Sequence, residues 1–83
     1  MTIEIPPYNK EDGLTISWKG NFVIKTSYSD HTIQIRANKA GLESLAVQLL
    51  TLAQQNVDSG THIHYDEGNS LEDGAVDLII EKI

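Results

Sequence analysis

The sequence predicts an α+β fold: a mostly antiparallel sheet of about five to six strands with one amphipathic helix packed on one face, in the order β-β-β-β-α-β-β. Three observations predict it. Apolar residues alternate with period two through residues 14–36, they recur at three- and four-residue steps from Leu42 to Ala53, and two short β-rich stretches follow. With 83 residues, 40 % of them hydrophobic and 22 % charged, the chain is expected to form a single domain over 1–83. Such a chain hides roughly 8,000 of roughly 13,000 Å² of unfolded surface, which is one thin core.

Taken in order, Thr2 to Ile5 alternate and are expected to add an edge strand, ended by Pro6 and Pro7, which lack the amide needed for a ladder. Leu14, Ile16 and Trp18 alternate with Thr15, Ser17 and Lys19 as in a half-buried strand. Gly20-Asn21 suits a two-residue primed turn into Phe22–Tyr28, with Phe22, Ile24, Thr26 and Tyr28 on one face. Ser29-Asp30 then turns into His31–Arg36, with Ile33 and Ile35 on one face, completing a three-strand meander. From Asn38, a candidate N-cap, Leu42, Leu45, Ala46, Leu49, Leu52 and Ala53 fall on one helical stripe, expected to face the sheet. Gly41 sits early in this helix, where its cost is smaller, and Ser59-Gly60 lies past its end. Thr61–Asp66 and Val76–Lys82 are the last strands, the second almost continuously apolar and so expected near a sheet centre.

The opposite side of the helix, Ser44, Gln48, Thr51 and Gln55, is polar but uncharged. Such a face costs little to desolvate, so it reads either as a contact surface or as an ordinary solvated helix face.

Charge is distributed unevenly. The net charge is −6. Residues 1–40 carry five basic and four acidic side chains, whereas residues 41–83 carry eight acidic ones against Lys82 alone. Asp66, Glu67, Glu72 and Asp73 fall in one ten-residue connection between the last two strands, long for a hairpin. It reads either as a solvated turn or as a partner-binding loop whose carboxylates steer a basic surface and whose Leu71 anchors it. Tyr65 and Trp18 are further anchor candidates, with core packing under the helix as their alternative. Nucleic acid is disfavoured as a partner by phosphate repulsion.

Chemistry has few footholds. His62, His64 and Asp66 share a face if 61–66 is a strand, and with His31 they are weak candidates for a zinc or iron site; solvent-facing polar residues are the competing reading. The loop lacks the alternating acids and closing glutamate of a calcium hand. There is no GxSxG elbow, phosphate-cradling glycine loop or HExxH, and there is a single arginine. No enzyme activity and no cofactor are expected. The chain has no cysteine, and no run approaches the ~18 apolar residues of a membrane span. The N-terminus lacks the basic start and apolar stretch of a secretory signal. A cytoplasmic protein without membrane contact is expected.

Several segments together carry a resemblance. Asn38-Lys39-Ala40-Gly41-Leu42-Glu43-Ser44-Leu45-Ala46, Leu49-Leu50-Thr51-Leu52-Ala53-Gln54, Gly60-Thr61-His62-Ile63-His64-Tyr65-Asp66, and Leu71-Glu72-Asp73-Gly74 through Leu78-Ile79-Ile80-Glu81 resemble the immunity protein 32 family of bacterial polymorphic toxin systems. The resemblance covers roughly residues 36–83; the N-terminal strands share only the pattern. It implies a small cytoplasmic protein, encoded beside a toxin, that protects its producer by binding that toxin; the acidic C-terminal half makes a basic toxin domain, such as a nuclease, the fitting partner. A second reading is an interaction or regulatory module, homodimeric through a sheet face bearing Val23 or Ile79. A small metal-dependent enzyme built on His62 and His64 is the third.

Overall fold

A computed structural model describes residues 2–83. Its elements are β1 (Ile24–Ser29), β2 (Thr32–Ala37), α1 (Lys39–Leu52), β3 (His62–Tyr65) and β4 (Leu78–Glu81). The α+β class stands, but the continuous sheet does not: β1 pairs antiparallel with β2 and β3 with β4, as two separate two-stranded sheets.

The β1–β2 hairpin follows the two-residue period of its sequence. Ile24 lies opposite Ala37, Thr26 opposite Ile35 and Tyr28 opposite Ile33, so these share one face, while Lys25 and Arg36 share the other. The turn lies one residue later than expected, with Asp30 and His31 both at positive φ (50° and 59°) as a primed two-residue turn requires.

Residues 14–19 and 2–5 join no ladder, contrary to the expected meander and edge strand. Side chains of the helix and the loop after it take the place of a neighbouring strand. Gln48 Nε2 donates to the Ser17 carbonyl at 2.9 Å and the Lys19 amide donates to Ser44 Oγ at 2.8 Å. Farther along, Gln54 accepts from the Tyr8 amide at 3.0 Å and donates to the Pro6 carbonyl at 2.9 Å, and Asn56 Nδ2 donates to the Tyr8 carbonyl at 3.1 Å. Main-chain groups satisfied in this way have no need of a ladder.

These bonds explain the main departure from the sequence reading, the rotation of α1. Ser44, Gln48 and Thr51 face inward and are buried, Gln48 completely, whereas Leu42, Leu49 and Leu50 are 55 %, 42 % and 48 % exposed. Leu45 and Leu52 lie inside as expected. Each inward polar group has a partner: Gln48 Oε1 accepts from the Tyr65 hydroxyl at 2.7 Å, Ser44 donates to Ala40 O at 2.8 Å, and Thr51 donates to Val47 O at 2.7 Å. Among the described residues no buried side-chain polar atom is left unpaired, so desolvating this face carries no orphan penalty.

Asn38 caps α1 as its sequence suggested. Its Oδ1 accepts from the Gly41 amide at 2.8 Å and the Val23 amide at 3.0 Å, and its Nδ2 donates to Asn21 O at 2.9 Å, welding the helix start to the entry of β1. Gly41 is buried and is required by a close approach: a Cβ there would sit 2.6 Å from the Val23 carbonyl oxygen.

The core gathers Ile24, Leu45, Leu52, Val57, Ile63, Tyr65 and Leu71, with Trp18, Phe22, Leu78 and Ile80 packed against it. Trp18 stacks on Phe22 with centroids 4.4 Å apart and meets Tyr65 edge-on at 6.2 Å. In the β3–β4 pair, Ile63 and Tyr65 point inward against Ile80 and Leu78, while His64 and Ile79 point out. β4 is therefore half-exposed, not the buried central strand its apolar run suggested. Among the described residues no helix is long and apolar enough to cross a membrane.

Candidate interaction surface

The acidic connection is held in a definite shape by its own side chains. Asp66 Oδ1 accepts from the Asn69 amide at 3.0 Å while Asn69 Oδ1 accepts from the Asp66 amide at 3.1 Å, a reciprocal lock across the first turn. The Asp66 carbonyl also accepts from the amides of Ser70 and Leu71, and Asn69 Nδ2 donates to His64 O, fixing the turn to the end of β3. Glu67 Oε1 then accepts from the Gly74 amide at 2.9 Å, tying the two halves of the loop together.

The second half runs along the outer edge of β1. The Glu72 amide donates to Ile24 O at 3.0 Å, the Val76 amide to Thr26 O at 3.4 Å, and Thr26 Oγ1 to Val76 O. Glu72 and Asp73 are thus exposed beside the hairpin, where they border a cleft of about 220 Å³ whose other wall includes Lys25, Gln34 and Arg36. The electrostatic surface at this point is mixed in sign, with the two carboxylates at its rim.

The residues nominated from sequence separate into two groups. Glu67, Glu72 and Asp73 are exposed, Asp66 is half-buried, and all four lie on the one loop. Tyr65 and Leu71 belong to the core, with 0 % and 5 % exposure, and this corrects the expectation that they present anchors to a partner. The strand period turns Tyr65 inward onto Gln48, and Leu71 is drawn into the cluster when the Asp66 turn closes. Burial pushes the Tyr65 phenol up to about 12 from its ordinary value of 10. Trp18 is half-buried, its ring engaged with Phe22 and Tyr65.

The histidines share an outward face on β3, as their spacing predicted, but they do not converge with Asp66. His64 Nε2 lies 3.1 Å from Asp77 Oδ2, His62 Nδ1 lies 3.2 Å from Gly60 O, and the Asp66 carboxylate is turned toward Asn69. His31 sits in the β1–β2 turn. Among the described residues no three His, Asp or Glu side chains are grouped to hold a metal ion.

The helical stripe that was expected to face the sheet is turned partly outward. Leu42, Leu49 and Leu50, with Ala46 and Ala53, form an apolar band on the surface, and beside it Thr2, Ile3 and Glu4 help to enclose a hollow of about 530 Å³ floored by Leu42, Ala46 and Val47. The signal was present in the uncharged Ser44-Gln48-Thr51 side: a helix that can bury either face shows its orientation by which one has hydrogen-bonding complements elsewhere in the chain.

A family model described as immunity protein 32 matches residues 32–83, from the start of β2 to the last residue. Neither the curated proteins nor the solved structures searched contain a match to the chain.

Proposed function

The chain belongs to the immunity protein 32 family, and from that premise we propose that it neutralises a cognate bacterial toxin by binding it in the producer's cytoplasm, performing no reaction of its own. The family match, which spans β2, α1, β3 and β4, is the observation that carries this reading. We assign the contact to the loop bearing Asp66, Glu67, Glu72 and Asp73, with Trp18 as a flanking contact.

Two features support the assignment. Exposed carboxylates on one loop favour encounter with a cationic protein surface, such as the substrate cleft of a nuclease, where they take the place of phosphate charge. The Asp66–Asn69 lock and the Glu67–Gly74 tie hold that loop before any partner arrives, so little ordering entropy is lost on contact.

The experiment is capture of the C-terminal toxin domain encoded beside the gene, followed by association kinetics. The double variant E72K/D73K is expected to slow association several-fold and to flatten its salt dependence, leaving thermal stability nearly unchanged. An association rate equal to the wild type rejects steering by this loop; failure to bind the neighbouring toxin rejects the function.

A further inference from the structure

The outward face of α1 is a seam with the spacing of a helix–helix contact. Leu42, Ala46, Leu49 and Ala53 are separated by four, three and four residues, the alternation that keeps one line of side chains facing a partner helix. In an ordinary surface helix such a line would be the buried one, and here the buried positions are taken by Ser44, Gln48 and Thr51. No charged residue interrupts the line.

We propose that this seam pairs with the same seam of a second copy of the chain, the two helices running antiparallel. The order of residues selects this occupant. An antiparallel two-fold arrangement centred between Ala46 and Leu49 sets Leu42 against Ala53 of the second copy and Ala46 against its Leu49. Each large side chain then meets a small one, and no Leu faces a Leu. A parallel pair lacks this complementarity, since it opposes Leu42 to Leu42 and Ala46 to Ala46. Antiparallel orientation also opposes the two helix dipoles favourably. On the flank, Leu50 of the second copy comes over the hollow lined by Ile3, Leu42 and Ala46 together with the charged Glu4, Lys19 and Glu43.

The size of the seam sets the strength of the pairing. A helix of 14 residues is ~21 Å long and covers on the order of 300 Å² along one side. That is less than half of the roughly 800 Å² per partner that a stable interface buries, so the dimer is a concentration-dependent one. It leaves the acidic loop free: Leu71 packs with Leu45 and Leu52 on the inner side of α1, and the seam points away from that cluster.

Sedimentation velocity of the toxin-free protein, from about 1 to about 500 µM, tests the proposal. The wild type is expected to shift from monomer toward dimer across that range, and L49E to stay monomeric with a dimer constant weakened by about tenfold or more. L49E alters an exposed position, and circular dichroism establishes that it folds. A second measurement tests the orientation in a chain without native cysteine: under oxidation, L42C mixed with A53C should cross-link more readily than L42C alone. A wild type monomeric throughout, a dimer unaffected by L49E, or preferential L42C self-linkage overturns the pairing. Loss of toxin capture by L49E in a chain that is monomeric throughout would give the seam to the toxin instead.

Discussion

Replacing Tyr65 with phenylalanine probes the feature that sets the helix orientation. The ring stays, so no cavity opens, but Gln48 Oε1 loses the hydroxyl donor held at 2.7 Å in a site where both residues are completely buried. Gln48 is held by its other end, Nε2, on Ser17 O, and cannot turn to find water without breaking that bond as well. An acceptor stranded this way costs about 1–3 kcal/mol. For a domain of this size that corresponds to a melting temperature lower by roughly 5–20 °C.

The same substitution carries a pH signature. Since the folded phenol ionises near 12 and the unfolded one near 10, the unfolded chain releases its proton first. The stabilisation is complete below pH 10 and is lost as pH rises toward 12, at about 1.4 kcal/mol per pH unit. Y65F lacks this loss, so the stability gap between wild type and variant should narrow between pH 10 and 12 in urea titrations. A variant as stable as the wild type at pH 7 refutes the argument that a buried Tyr65–Gln48 bond helps to hold α1 in its orientation, and a gap unchanged up to pH 11.5 refutes the burial of the phenol that raises its ionisation.

The remaining predictions concern the frame and the histidines. G41A is expected to lose about 1–2 kcal/mol in urea unfolding despite the better helix propensity of alanine, because the Val23 carbonyl must move out of the way of a Cβ; a stabilised variant would refute the close approach. N38A should cost about 1–2 kcal/mol, since it removes the cap and the bonds to Val23 and Asn21 together. Zinc at a large excess should leave the melting temperature of the wild type unchanged, and a rise that H62A/H64A abolishes would restore the metal reading.

The elements that sequence alone located are those whose period belongs to themselves. β1, β2, β3, β4 and α1 each carry their own alternation or stripe, and Asn38 its capping chemistry. What it misplaced depended on partners remote in the chain. The residues 14–19 alternate as well as β1 does, but the Ser17 carbonyl and the Lys19 amide are met by Gln48 and Ser44, contacts across 31 and 25 positions that no local pattern announces. The helix was misoriented for the same reason. With Leu42, Leu45, Leu49, Leu50 and Leu52 gathered within about 160° of its circumference at 3.6 residues per turn, hydropathy alone favours burying that leucine side, whereas complementary hydrogen bonds favour the Gln48 side. At the acidic loop, composition gave Glu67, Glu72 and Asp73 their exposed positions, but Leu71 looked like a surface anchor until the Asp66 turn carried it into the core.

The N-terminal stretch is gripped by its main chain: the atoms held are the Pro6, Tyr8 and Ser17 carbonyls and the Tyr8 and Lys19 amides, and the hands that hold them are Ser44, Gln48, Gln54 and Asn56. Every one of those hands lies within residues 32–83, the stretch the family model recognises. A peptide seated through its backbone keeps those bonds when its solvent-facing side chains are exchanged, whereas Tyr8, Leu14 and Trp18, packed against the core, hold the same stretch by their side chains as well.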